Sequence, residues 1–282
     1  MYQAGLVLEG GGMKGIYTAG VLDFFLDKEI EFSNCYGVSA GACCLCSYLS
    51  KQRKRAYHVN VDYLGQKAYC SVESLLKTGD LFGVDMCYGL IPDYLNPYDY
   101  EAFDQYQGKA YAVVTNIKTG EPEYMQLQDM HKDIIAVRAS SSMPLVSRNV
   151  KIGEALYLDG GISDSIPIRR SMKDGNRKNV IVMTKEDGYV RLPAGAELAL
   201  VKVRYMRYPK IYGLMRERHI AYNATVQYIE QMQKRGEVFV IRPKHKSDVG
   251  RVEKDKAKLD ALYEEGYRDA EESYLDLLEY LD

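Results

Sequence analysis

Cys35-Tyr36-Gly37-Val38-Ser39-Ala40-Gly41 is the stretch on which the fold turns. Residues 35–38 form a short apolar run, and residues 40–49 are apolar and small, so the pattern predicts strand, sharp turn and buried helix. The pattern just upstream is the same. Gly5-Leu6-Val7-Leu8 ends in glycines and predicts a buried strand. Residues 15–28 place Ile16, Ala19, Val21, Leu22, Phe25 and Leu26 at helical spacing. Two strand-to-helix units in succession point to an α/β fold with a parallel sheet and helices packed on it.

Further along, residues 110–117 predict a strand, and residues 123–127 are placed to pair with it across Lys118-Thr119-Gly120. Residues 51–55 are basic and predict a solvated helix end, and residues 80–107, rich in Tyr, Asp, Gly and Pro, predict irregular chain. A helix is expected at 131–139, and strands at 154–158 and 179–184. Beyond about residue 190 helical segments follow, interrupted near Pro209, with a strand at 238–241 and an acidic helical tail. The expected organisation is a catalytic domain over 1–190 and a helical C-terminal region over 191–282, whose strand can join the main sheet.

Composition narrows the function classes. With 46% apolar and 27% charged residues the chain supports a packed core and is not disordered. A formal net charge of −2 excludes a general nucleic-acid binder. The start of the sequence reads neither as a signal peptide nor as a membrane span, so the expected location is cytoplasmic, with peripheral membrane contact through residues 202–218 as one option. That stretch interleaves Lys202, Arg204, Arg207, Lys210, Arg216 and Arg218 with tyrosines and aliphatics, a mixture that suits anionic lipid surfaces or, more blandly, a solvated helix face. Cys35, Cys43, Cys44, Cys46, Cys70 and Cys87 have no metal-ligand spacing and read as buried small residues. No EF-hand loop is present, so neither a metal nor a cofactor is expected.

Three motifs carry chemistry. Gly37 and Gly41 flank Ser39 in a G-x-S-x-G turn, which lifts a serine hydroxyl to the carboxyl edge of a sheet as a nucleophile. Gly10, Gly11 and Gly12, with Lys14 and Gly15, follow the first strand and open a helix. Their backbone N–H groups make an anion nest suited to a tetrahedral oxyanion. The same string satisfies G-x-G-x-x-G, which leaves an NAD(P)-binding oxidoreductase as an alternative. That reading needs an acidic residue at the end of strand two, where Ser39 stands. The third motif, Asp159-Gly160-Gly161, ends an apolar strand.

With these motifs and Ala139-Ser140-Ser141-Ser142-Met143-Pro144 in this order, the chain resembles the patatin-like phospholipases over roughly residues 5–185. The resemblance implies a three-layer α/β/α sandwich with a mostly parallel sheet. It implies Ser39 as nucleophile, Asp159 as its partner without a catalytic histidine, and Gly10, Gly11 and Gly12 as the oxyanion loop. It also implies a lipid or other acyl-ester substrate of the phospholipase A or lysophospholipase kind. Lys14 stands where Arg is commoner in the family, a point charge in place of a fixed fork. None of His58, His131, His219 or His245 adjoins a motif, and surface positions are expected for His219 and His245. A non-catalytic lipid-binding protein on the same fold is a further alternative.

Overall fold

The computed structural model describes residues 1–282. Eight strands form one sheet: β1 (Tyr2–Leu8), β2 (Phe32–Val38), β3 (Lys109–Asn116), β4 (Pro122–Leu127), β5 (Val150–Ile152), β6 (Ala155–Asp159), β7 (Asn179–Val182) and β8 (Phe239–Ile241). Their order is β5-β6-β3-β2-β1-β7-β8, with β4 paired to β3 off that path. The pairs β3–β2, β2–β1, β1–β7 and β7–β8 are parallel, and the β3–β4, β3–β6 and β5–β6 pairs are antiparallel. The expected mostly parallel sheet is present, and the last strand of the sequence joins its edge.

The helices are α1 (Gly15–Asp27), α2 (Ala40–Leu49), α3 (Arg55–Val61), α4 (Val72–Thr78), α5 (Tyr100–Asp104), α6 (Met130–Ser140), α7 (Ile168–Lys173), α8 (Glu197–Arg204), α9 (Pro209–Lys234), α10 (Lys256–Glu272) and α11 (Tyr274–Leu281). Alternation along the strands shows how they are layered, because successive side chains point to opposite faces. Leu6, Leu8, Cys35, Ala110 and Val180 enter the larger core with α1, α2, α6 and α10. Val7, Tyr36 and Ile181 enter a second core with Ile168 of α7 and Tyr222, Val226 and Ile229 of α9. Both faces of the sheet are covered, which makes a three-layer α/β/α sandwich.

The C-terminal region is packed into this frame. Where α10 crosses α1, a Cβ on Gly20 would strike the Tyr263 carbonyl and one on Gly266 the Tyr17 carbonyl, so the two backbones touch. Two hydrogen bonds lock the crossing: Tyr17 Oη donates to Asp269 at 2.8 Å and Tyr263 Oη to Asp23 at 2.7 Å.

Two segments differ from expectation. Residues 80–107 are ordered as a wide π-helix over Met86–Leu95 followed by α5. Pro92 inside the run reads as a helix breaker. The wider turn accommodates its missing N–H, and Asn96 N donates five residues back to Ile91 O at 2.8 Å. The basic cluster is not wholly solvated. Arg53 pairs with Asp27, whereas Arg55 starts α3 and its side chain turns inward.

Candidate active site

The register of β3 brings the two candidate residues together. β2 runs parallel to β3 and ends at Val38, opposite Val113. β6 runs antiparallel to β3 and ends at Asp159, opposite Val114. Val114 also pairs with Glu123 of β4, so β6 must occupy the edge of β3 that β2 has just vacated. The carboxyl ends of β2 and β6 therefore meet head to head, one register step apart. Gly160 is obligatory at this junction, because a Cβ there would strike the Val113 carbonyl.

Ser39 lies between β2 and α2 with φ 54° and ψ −122°, a conformation that costs a non-glycine residue on the order of 1–3 kcal/mol. Its neighbours hold that strain in place. Ser39 N donates to Ser140 Oγ at 2.9 Å, and Asp159 N donates to Ser142 O at 2.8 Å. The small-residue segment at the end of α6 thus buckles both candidates together.

The Asp159 carboxyl is buried, and desolvation raises its pKa above the ordinary carboxylate value. Arg218, the Ser39 hydroxyl, the Gly161 amide and Arg251 each pull it back down. The Gly161 N–H donates to Asp159 Oδ1 at 2.7 Å. A desolvated carboxylate beside a serine hydroxyl is a better proton acceptor than a free one.

The glycine loop closes the other side. A Cβ on Gly10 would lie 2.9 Å from Ser39 Cβ, so the loop backbone passes directly against the serine. Gly11 and Gly12 abut Thr184 and Arg251. The N–H groups of Gly10 and Gly11 donate to no backbone acceptor in the chain, which leaves them available to an anion. Gly15 packs on Ala40, Gly37 on Ala42 and Gly41 on the Leu8 carbonyl, joining the loop to the serine turn. Lys14 Nζ makes one hydrogen bond, to Ser247 O at 3.2 Å, as suits a point charge.

Sequence reasoning missed what the C-terminal region brings to this site. Arg218, counted within the surface stretch 202–218, is half-buried on α9, and its Nε donates to Gly161 O at 2.5 Å. Burial and its cationic neighbours Arg191 and Arg251 lower its guanidinium to about 10, against the opposing pull of Asp159 and Glu9. Lys185 is likewise lowered to about 8, chiefly by burial. Glu9, fully buried after β1, accepts from Thr184 N and Tyr222 Oη at 2.7 Å each and ties α9 to the glycine loop. No periodic pattern separates Arg218 from its solvated neighbours; only the direction of its side chain does.

A cavity of about 200 Å³ opens beside Ser39 along α2. Cys43 lines it and is exposed, contrary to the expectation for all six cysteines, whereas Cys35, Cys44 and Cys46 are buried. None of the histidines hydrogen-bonds to Ser39 or Asp159. His58 pairs with Asp62, His131 stacks on Tyr100, and His245 is exposed. His219 is half-buried rather than on the surface, and its Nδ1 bonds to nothing. No cluster of His, Cys, Asp or Glu is arranged to hold a metal ion.

A family model described as patatin-like phospholipase matches residues 6–171. A second, described as a domain of unknown function (DUF6363), matches residues 208–282. The uncharacterized protein YjjU of Escherichia coli (strain K12) is 27% identical over 245 residues, covering 84% of this chain and 68% of that protein. The probable lipid hydrolase 463L of Invertebrate iridescent virus 6 is 24% identical over 194 residues, covering 63% of this chain and 66% of that protein. The chain spans about two thirds of the length of these relatives. Among solved structures, VipD from Legionella pneumophila aligns with a TM-score of 0.47 at 12% identity, over 96% of this chain and 66% of that one.

Proposed function

The chain belongs to the patatin-like phospholipase family, and from that premise we propose that it hydrolyses acyl esters of lipids with Ser39 as nucleophile and Asp159 as base. The observation that carries this reading is the head-to-head meeting of β2 and β6, which sets a strained serine beside a buried carboxylate under the glycine loop. Ser39 Oγ attacks the ester carbonyl while its proton passes to Asp159. The tetrahedral oxygen takes up the free N–H groups of Gly10 and Gly11, with the Gly12 segment completing the loop. Collapse expels the alcohol with that proton and leaves an acyl-serine, and water, deprotonated by Asp159, then releases the acid. The viral relative's description as a probable lipid hydrolase supports a lipid ester. No step uses a cofactor.

Fluorophosphonate labelling with mass-spectrometric mapping tests it. The label is expected on Ser39 and absent from Ser39→Ala, while His219→Ala and His245→Ala keep most of the activity. A loss in either histidine variant as deep as that of Ser39→Ala refutes the dyad.

Access to lipid runs over α8. No helix is long and apolar enough to cross a membrane. Leu200, Val203 and Met206 are nonetheless 63%, 70% and 72% exposed among Lys202, Arg204 and Arg207. The inner side of α8, through Val201 and Tyr205, packs in one cluster with Leu158 and Ile162 on either side of Asp159. An apolar ridge with basic flanks suits an anionic membrane surface. Vesicles containing phosphatidylserine are expected to carry the protein on flotation, and Val203→Asp to release it. Equal recovery with neutral and anionic vesicles removes the idea.

A further inference from the structure

The cavity beside Ser39 is mainly apolar, yet two guanidinium groups line it, those of Arg55 and Arg138. The Nε of each is buried and has no hydrogen-bond partner. Arg55 Nη2 donates to the Asn96 carbonyl at 3.0 Å, and the guanidinium lies over the Tyr98 ring, 5.0 Å from its centroid. Tyr98 Oη in turn donates to Cys46 O at 2.9 Å, which fixes Arg55 beside that turn of α2. Neither Arg55 nor Arg138 forms an ion pair with a carboxylate of the chain, whereas the neighbouring Arg53 and Arg148 both do. The one acid in the lining, Asp80, is already engaged, accepting from Arg148 N and Nε at 2.9 Å each. Arg138 stands on α6 two residues before Ser140, whose hydroxyl holds the Ser39 amide.

A buried cation without a counter-charge is costly, and a ligand anion that completes the pair removes that cost. The fixed fork of Arg matches carboxylate and phosphate. Size points the same way. A cavity of about 150 Å³ holds a benzene molecule, so this one takes roughly eight heavy atoms, about half of a long fatty chain. The reach is also defined, since the seven residues from Ser39 to Cys46 rise about 10 Å along α2.

We propose that this cavity recognises an ester whose buried portion is short and ends in a compact anion, a carboxylate or phosphate, about 10 Å from the scissile carbonyl. Arg55 receives the anion and determines specificity, and Arg138 adds positive potential on the way. This rests on the ester-hydrolase reading of Ser39 and extends it to a substrate class.

Matched substrates test it. On the acyl side, p-nitrophenyl octanoate is compared with the mono-p-nitrophenyl ester of suberic acid, the same chain ending in a carboxylate. On the alcohol side, monooctanoylglycerol is compared with its glycerol phosphate counterpart. In at least one pair the anionic member is expected to have a kcat/KM about 10- to 100-fold higher. Preference in the first pair assigns the anion to the acyl group, and preference in the second to the head group. Arg55→Met should abolish the preference, and Arg55→Lys should retain part of it. Equal rates within both pairs, or a preference that persists in Arg55→Met, overturn the proposal. If no ester is cleaved, the hydrolase reading fails separately. Calorimetry of suberate against octanoate on the Ser39→Ala protein then still reads the anion site, and equal affinities overturn it.

Discussion

Burial lifts the Asp159 carboxyl, and Arg218, Ser39, Gly161 and Arg251 together fail to bring it back to its ordinary value. The folded-state pKa therefore lies above the unfolded value of about 3.9. For an acid this means that folding favours the protonated form. The penalty is absent below the unfolded pKa, grows as pH rises toward the folded pKa, and is complete above it. At neutral pH the carboxylate thus costs stability. Asp159→Asn is expected to raise Tm while cutting kcat by about a thousandfold or more, measured by calorimetry and ester turnover. With Asp159 as the proposed base, the acid limb of kcat/KM should lie above the ordinary carboxylate range, because the base must be ionised. Arg218→Met removes the largest opposing influence, so it should move that limb to higher pH in a pH–rate profile. A limb that stays in place would detach Arg218 from the base.

Among the elements, the crossing of α1 and α10 is the tightest joint between the N- and C-terminal parts of the chain. Both of its glycines meet backbone rather than flexible side chain, so no rotamer change relieves a substitution. Gly266→Ala is expected to cost about 1–3 kcal/mol by overpacking. At roughly 2–4 °C per kcal/mol for a chain of this size, the melting curve should show it. Gly213 in α9 has nothing around its missing Cβ, and Gly213→Ala should instead stabilise by up to about 1 kcal/mol. The same contrast marks how far the sequence could be read. Strands β1 and β2, the β3–β4 hairpin and the serine turn were legible because local period and glycine punctuation determine them. The short strand β5 and the π-helix were not, since one is three residues long and the other carries a proline. Arg55 and Arg218 look like their solvated neighbours in sequence, and their inward direction is decided by packing from distant segments. Ser39 and Asp159 could be named, but their meeting depends on a register across β3 that no local pattern encodes.

For the molecule as a whole, a division into 1–190 and 191–282 is a division of sequence, which we do not propose as two units that fold alone. β8 extends the sheet beside β7, α10 locks α1, and Tyr222, Arg218 and Arg251 reach the glycine loop and Asp159. The closure around Gly12 is the most instructive of these contacts. Met13 N donates to Arg251 O at 3.1 Å, so the anion loop near the start of the chain is fastened by a carbonyl 238 residues later. This gives the site a history in time. During synthesis Ser39 and Asp159 leave the ribosome first, and Arg251 follows Asp159 by 92 residues, or about 5–20 s at the usual pace of elongation. Throughout that interval the nascent chain carries Ser39 with the glycine loop unfastened. Ribosome-bound chains arrested before Arg251 should resist fluorophosphonate, and chains arrested well beyond it should react. The proposed hydrolytic activity would then appear only after the segment carrying Arg251 has left the ribosome, and a chain cut short before it would be inactive.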